Sequence, residues 1–408
     1  KYAQSEADPQ AAGRELKVAD VVTGQFSQEG ENLRVSLEVI DVEGNRLIWR
    51  DAVSVPAKDM IAVREQVTAR VRQGLLPLLG AASGAASAAT RPSNPEAYEL
   101  YMRATALSTD PAPTTQAIQM LERAVQLDAN FAPAWAALAR RYNYAASYGT
   151  GGEAAYRRAV AANNRALALD PEMEDARGLS IQYRVESGDW NGAYDEAAEW
   201  VKKRPEGSHA HFTLAYVLRY GGLYDQAMSE CDTSLRLDPN ERRHRSCADP
   251  FILAGKFDRA LDFLKLDAGS EYERFSTGQI MMRRGKMKEA HELMKASGSP
   301  AERACLESRP RAEIEKLWTT DALSRDLLRF PDPEPKYWVG ATLATCGMHE
   351  EALRLLRGAV QGGYCSFPAV DTEPMWDSVR KTPEFAEIRK EAMACRDRAA
   401  AHVAQTKK

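Results

Sequence analysis

The chain has 408 residues, 44% of them hydrophobic and 27% charged, enough for two or three ordinary domains or one extended array and too apolar for a disordered protein. A formal net charge of −4 supplies no global basic field and argues against a nucleic-acid binder. No stretch reaches the roughly 18 consecutive apolar residues of a membrane span, and Cys231, Cys247, Cys305, Cys346, Cys365 and Cys395 form no C-x-x-C pair, which argues against a zinc site.

Starting at Lys1 without a methionine, the sequence is expected to be part of a longer chain. In residues 1–79, "DPQAAGREL" reads as a short helix with proline in its first turn. "DVVTGQFSQ", "NLRVSLEVIDV" and "RLIWRDAV" alternate apolar and polar residues between Gly-containing turns, predicting an antiparallel meander. "DMIAVREQVTARVRQGLLPLL" carries Met60, Val63, Val67, Val71 and Leu75 at helical spacing with Asp59 as N-cap. "GRELKVADVVTG", "NLRVSLEVIDVEGNRLIW" and the helix after them resemble the second half of the TolB amino-terminal-like domain found ahead of repeat arrays in bacterial signalling proteins. The strand and helix that normally open that domain are missing, so an incomplete α/β domain with one uncovered sheet edge, or an edge completed by another chain, is expected. Residues 80–93, rich in Ala, Gly and Ser, read as a linker.

From residue 94 a different rule takes over. The pattern Gly-x-aromatic-polar-x-Ala occurs at Gly188-Asp189-Trp190, Gly222-Leu223-Tyr224 and Gly255-Lys256-Phe257, with looser copies at Gly285 and Gly347, so the glycines are spaced by 34, 33, 30 and 62 residues. Pro171, Pro205 and Pro239 keep the same step of 34. A sustained period of about 34 residues is that of a repeated helix–turn–helix. Small residues let the paired helices approach, and proline ends the second helix. Trp135, Leu138, Ala139 and Tyr142, followed by Ala159, Ala166 and Pro171, resemble one tetratricopeptide repeat; Leu214, Ala215, Ala227 and Pro239 resemble another, and Gly340, Ala352 and Ala359 a last one. The resemblance implies a mainly α protein, an α-solenoid of about eight repeats over 94–370, irregular over 300–332, with residues 371–408 as a C-terminal cap and polar tail.

The resemblance also implies a concave wall built from the first helix of each repeat. Carried over copy by copy, it takes Arg140, Asn143 and Tyr144, then Gln182, then His209, Phe212, Tyr216 and Arg219. Arg242, Arg245 and Asp249 follow, then Tyr272, Phe275, Gln279 and Met282. Arginine forks and aromatic faces suit an extended peptide with acidic groups, although a packed or solvated role for several of them stands beside that reading. The Lys/Asn carboxylate clamp of chaperone-binding relatives is absent from these positions. Cys231 and Cys247 fall on facing helices of successive repeats, which leaves two readings, a disulfide in an oxidising compartment or two adjacent packed thiols. Cys365 and Cys395 are a second candidate pair of the same kind.

Chemistry-bearing motifs are few. His209 and His211 lie two apart, about 200° around a helix, and cannot share a metal. "YGTGGEAAYRR" resembles a phosphate cradle but lacks the Lys-Ser/Thr of a P-loop and follows a helix, so a loop insertion is expected. No catalytic residue and no cofactor is expected. The resemblances imply a non-enzymatic interaction and sensing module that binds a protein or extended peptide. A serine/threonine kinase, winged-helix or cyclase domain would sit outside this chain, and the array would lie on the extracytoplasmic side of a membrane-anchored parent, with the cytoplasm as the alternative. A structural scaffold, or the non-catalytic part of an enzyme, are the rival readings.

Overall fold

The computed structural model describes residues 8–16, 18–78, 90–147, 149, 151–295 and 298–406. Contacts divide the chain into two compact units, residues 1–106 with 120–134 and residues 107–119 with 135–408. Residues 80–89 of the expected linker lie outside the described residues. The division does not follow the linker: Pro95–Ala106, beyond it, belongs to the first unit, and Pro111–Leu127 is divided between the two.

In the first unit, α1 (Pro9–Leu16) precedes an antiparallel sheet of order β1 (Asp20–Glu29), β2 (Asn32–Asp41), β3 (Arg46–Pro56). Pairings Phe26↔Val35 and Val35↔Val53 put these side chains on one face. The helix α2 (Met60–Arg70) begins at Asp59, whose carboxylate accepts from Ala62 N at 2.9 Å, and continues through Val71–Leu75 into a last short turn, α3 (Leu76–Leu78). Gly74 lets this run lie against Trp49, since a Cβ there would stand 2.6 Å from the indole nitrogen. Along β1 the apolar face is left open: Val22 is 52% and Phe26 79% exposed. Helix α4 (Pro95–Ala106) stays in this unit, where Tyr98 and Tyr101 meet Phe131 edge-on.

The repeats follow as paired helices. Helix α5 (Pro111–Leu127) follows α4 in the chain, and next come α6 (Ala132–Ser147) with α7 (Gly152–Leu169) and α8 (Glu174–Glu186) with α9 (Trp190–Lys203). Helix α10 (Ser208–Tyr220) pairs with α11 (Tyr224–Leu237), and a 3-10 turn Arg242–Cys247 leading into α12 (Ala248–Leu253) pairs with α13 (Phe257–Leu264). The remaining pairs are α14 (Glu271–Arg283) with α15 (Met287–Met294), α16 (Pro300–Leu306) with α17 (Arg311–Thr320), and α19 (Glu334–Thr345) with α20 (His349–Gln361). The irregular stretch contains α18 (Ala322–Leu327); α21 (Ala369–Thr372) and the long α22 (Pro383–Thr406) close the chain.

The recurring sequence motif is a helix stop. Gly188, Gly222, Gly255, Gly285 and Gly347 all have φ between 70° and 91°, a left-handed conformation that glycine adopts without a Cβ penalty. The residue after each donates back to the last turn, as in Leu223 N to Leu218 O and Lys256 N to Phe251 O, which satisfies carbonyls that the helix end would leave orphaned. Five residues beyond each glycine, Ala193, Ala227, Ala260, Ala290 and Ala352 are completely buried. Their small side chains set the close approach within each pair. Pro171, Pro205 and Pro239 stand two residues after the ends of α7, α9 and α11. One apolar core runs from α8 to α22, with Trp200, Tyr220, Tyr337, Tyr364 and Trp376 among its fully buried side chains, and Ala136, Ala166 and Ala176 form a smaller cluster before it.

Candidate functional site

Several of the expected residues meet on one face, and the inner part of that face is filled. Arg219, 2% exposed, donates through Nη1 to Asp249 at 2.8 Å and through Nη2 to Glu334 at 2.7 Å, while its guanidinium lies 4.5 Å from the centre of the Tyr216 ring. Tyr216 donates to Glu186 at 2.8 Å, and Tyr220 donates to Asp332 at 2.7 Å. Arg245 pairs with Asp267, donates to Thr109 Oγ1 at 2.9 Å and stacks over Tyr272 at 4.5 Å and Tyr144 at 5.7 Å. Gln279 Nε2 donates to Thr342 Oγ1 at 3.3 Å. Next to it Arg283 forks onto Glu373 at 2.7 and 3.0 Å. Gln182, His209 and Phe212 are buried as well.

This corrects the expectation of an open groove along the whole wall. The cations at Arg219 and Arg245 are already met by the chain's own carboxylates. An uncompensated arginine cannot stay this deeply enclosed, because desolvating a charge without a partner costs several kcal/mol or more. The part that reaches solvent is the rim. Arg242 is exposed, Arg140 keeps 21% of its side chain exposed at 3.8 Å from Asp175, and Asn143, Tyr144 and Phe275 are half-buried. Burial alone would raise the Tyr144 phenol, but Arg245, Arg140 and Arg243 together hold it below its ordinary value.

The inner cluster carries more acid than base. Burial, helped by the nearby Glu334 and partly opposed by Arg219, pushes Asp249 and Asp332 up to about 7. Burial and the nearby Asp332 raise Glu186 well above the carboxylate range. Each of these carboxyls is committed to an arginine or a phenol, Glu186 taking Tyr156 at 3.1 Å as well as Tyr216. Among the described residues no group of three or more His, Cys, Asp or Glu is placed to hold a metal ion.

The two histidines of "HAH" separate as their helical spacing requires. His211 sits with Nδ1 2.5 Å from Glu230 and Nε2 2.8 Å from the Pro205 carbonyl oxygen. His209 lies between Trp200 and Phe212, and burial holds it down to about 3. All six cysteines are joined in the repeat unit, Cys231 to Cys247, Cys305 to Cys346 and Cys365 to Cys395. The middle pair has no counterpart in the sequence reading. Nor do Glu186, Asp332, Glu334 and Glu373; for Asp332 and Glu334 the available signal was the acid–proline alternation Asp332-Pro333-Glu334-Pro335 at the edge of the irregular stretch.

The paired helices, their left-handed glycine turns and their buried alanines define a tetratricopeptide-type α-solenoid protein with a small antiparallel sheet ahead of it. No family model matches the chain. Solved structures similar to it include a tetratricopeptide repeat protein from Parabacteroides merdae, at 16% identity and a TM-score of 0.36, over 64% of this chain and 91% of that one. Another is the Cut9–Hcn1 hetero-tetramer of APC/C, at 14% identity and a TM-score of 0.38, over 81% of this chain and 82% of that one. A third is MamA, at 21% identity and a TM-score of 0.26, over 42% of this chain and 87% of that one. These scores are low, and the repeat type rests on the chain's own turns and spacings. A curated relative from Rhizobium meliloti (strain 1021), provisionally named adenylate cyclase 3, is 26% identical over 133 residues. The match spans 32% of this chain and 23% of that protein's length.

Proposed function

We propose that this chain is a non-enzymatic protein-interaction and sensing module of a bacterial signalling protein, and that it binds an acidic, extended peptide along the first-helix face. The observation that carries the reading is the chemistry of that face. Arginines and aromatics from successive repeats converge on it, and where its composition is tested within the molecule it holds acidic side chains: Arg219 takes Asp249 and Glu334, and Arg245 takes Asp267. The rim residues Arg140 and Arg242 extend the same chemistry to solvent. The short match to a cyclase-named protein supports a regulatory segment beside a catalytic domain carried elsewhere, as does the likeness of residues 1–79 to TolB amino-terminal-like domains. Three disulfides in one unit favour an oxidising, extracytoplasmic compartment over the cytoplasm.

The test is a displayed library of acidic peptides panned on the full chain and on the double variant Arg140→Glu with Arg242→Glu. The wild-type chain should select peptides that the double variant binds at least roughly tenfold more weakly, with helicity unchanged by circular dichroism. Selection of no acidic peptide, or equal binding by the variant, would overturn the reading.

A further inference from the structure

The inner part of the face is occupied by a segment of the chain with its own recognition pattern. Phe330, Asp332 and Glu334 alternate along the sequence, and all three point at the same wall. Phe330 is buried edge-on against Tyr156 at 5.7 Å. Asp332 accepts from Tyr220 at 2.7 Å, and Glu334 accepts from Arg219 at 2.7 Å. The segment bends into α19 at Pro333 (φ −78°, ψ −19°), so that Glu334, the first residue of that helix, lies on the same side as Asp332, and Pro331, Pro333 and Pro335 fall on the intervening positions. Proline restricts the segment before it binds, which lowers the ordering cost of holding it. The ends are fixed locally, by Glu334 N donating to Asp332 Oδ1 at 2.9 Å and Lys336 Nζ donating to the Phe330 carbonyl oxygen at 2.8 Å. The partners lie 112 and 115 residues away in sequence, so neighbouring-repeat packing does not account for them.

We propose that residues 330–334 are an internal ligand: the wall formed by Tyr156, Tyr220 and Arg219 is a receptor for aromatic-Pro-acidic-Pro-acidic segments, and the chain keeps it filled in cis. A partner carrying that pattern takes the inner site only by displacing this segment. The inference rests on the proposed use of this face for peptides, yet the two fail separately. The displayed peptides report on Arg140 and Arg242 at the rim, whereas the internal segment reports on Tyr220 and Arg219.

The probe is a labelled synthetic peptide with the sequence of residues 328–336, titrated into the full chain by fluorescence anisotropy. The wild type should bind it negligibly. Asp332→Asn combined with Glu334→Gln weakens the cis segment without touching the wall and should bind it at least tenfold more tightly. Adding Tyr220→Phe to that variant should reverse roughly tenfold of the gain, since it deletes a phenol that donates to a carboxylate. If the double variant keeps its helicity and binds no better than wild type, or wild type binds equally well, the proposal is overturned. Hydrogen exchange on the wild-type chain gives a result that does not depend on the variant folding. Amides of Phe330, Asp332 and Glu334 should exchange by local opening, faster than the amides of Arg219 and Tyr220. Exchange of both sets only together, in one global event, would equally overturn it.

Discussion

Two faces of the repeat unit are made from the same residue types and behave differently. On the outer face Arg259 holds Asp232 at 2.7 Å and Asp262 at 3.3 Å with 38% of its side chain exposed. On the inner face Arg219 holds Asp249 and Glu334 at nearly the same distances with 2% exposed. Water screens the outer pairs and competes for them, so they add little stability. The inner pairs have lost their water, and each member depends on the others remaining in place. Removing one partner is therefore the sharpest way to separate the faces. Arg219→Ala strands two buried carboxylates and should cost about 3–5 kcal/mol in urea unfolding, whereas Arg259→Ala should cost less than about 1 kcal/mol. Equal midpoints for the two variants would show that the inner face is not enclosed as described.

The turn glycines give a smaller contrast of the same kind. Gly222 and Gly255 occupy equivalent turns with φ of 71° and 70°, but a Cβ on Gly255 would meet nothing within 4 Å, while one on Gly222 would stand 2.4 Å from the Phe367 carbonyl oxygen. Gly255→Ala should cost only the left-handed backbone strain, about 1 kcal/mol. Gly222→Ala adds a clash with backbone that cannot rotate away, about 1–3 kcal/mol more. Thermal melts of the two variants check this, and a larger loss for Gly255→Ala would count against the Phe367 carbonyl lying over the Gly222 turn.

These contrasts mark what the sequence could and could not convey. The repeat was legible because its signals are local: a left-handed glycine, a buried alanine five residues on, and a proline past the helix end each act within one turn. The meander was legible for the same reason, since alternation in "NLRVSLEVIDV" reports directly on which side chains face inward. Of the residues that the first-helix register selected, Tyr144 and Tyr272 both meet Arg245. What fills the inner face was not legible. Tyr220 and Asp332 meet across 112 residues, and such closure depends on small rotations accumulated from repeat to repeat rather than on any residue in the motif. Cys305 and Cys346, joined across 41 residues, escaped notice because one lies in the stretch where the period breaks.

The smallest expected effect concerns pH, and it too divides the inner face into opposing parts. Asp249 and Asp332 are raised from 3.8 to about 7. The folded state therefore holds protons that the unfolded chain releases, and this contribution to stability falls as pH rises from about 4 to 7, then levels off. His209 and His244 act in the other direction. Burial lowers them from 6.5 to about 3 and about 4, so the stability of keeping them neutral is complete above 6.5 and is lost as pH falls toward 4. In the wild type the two trends offset each other across the window from 4 to 6.5, and a flat profile there would be uninformative by itself. Single variants separate them. Asp332 faces Glu334, Arg219 and Tyr220, with Lys336 on its own segment; Asp332→Asn imitates its protonated form, so this variant should gain on the wild type as pH rises from 5 to 8. His209→Gln cannot acquire charge and should gain on the wild type as pH falls from 7 to 4. Urea midpoints measured across that range read both signs. If the two differences ran in the same direction, the inner carboxyls would not be sharing a desolvated site, and the contrast between the faces would reduce to packing alone.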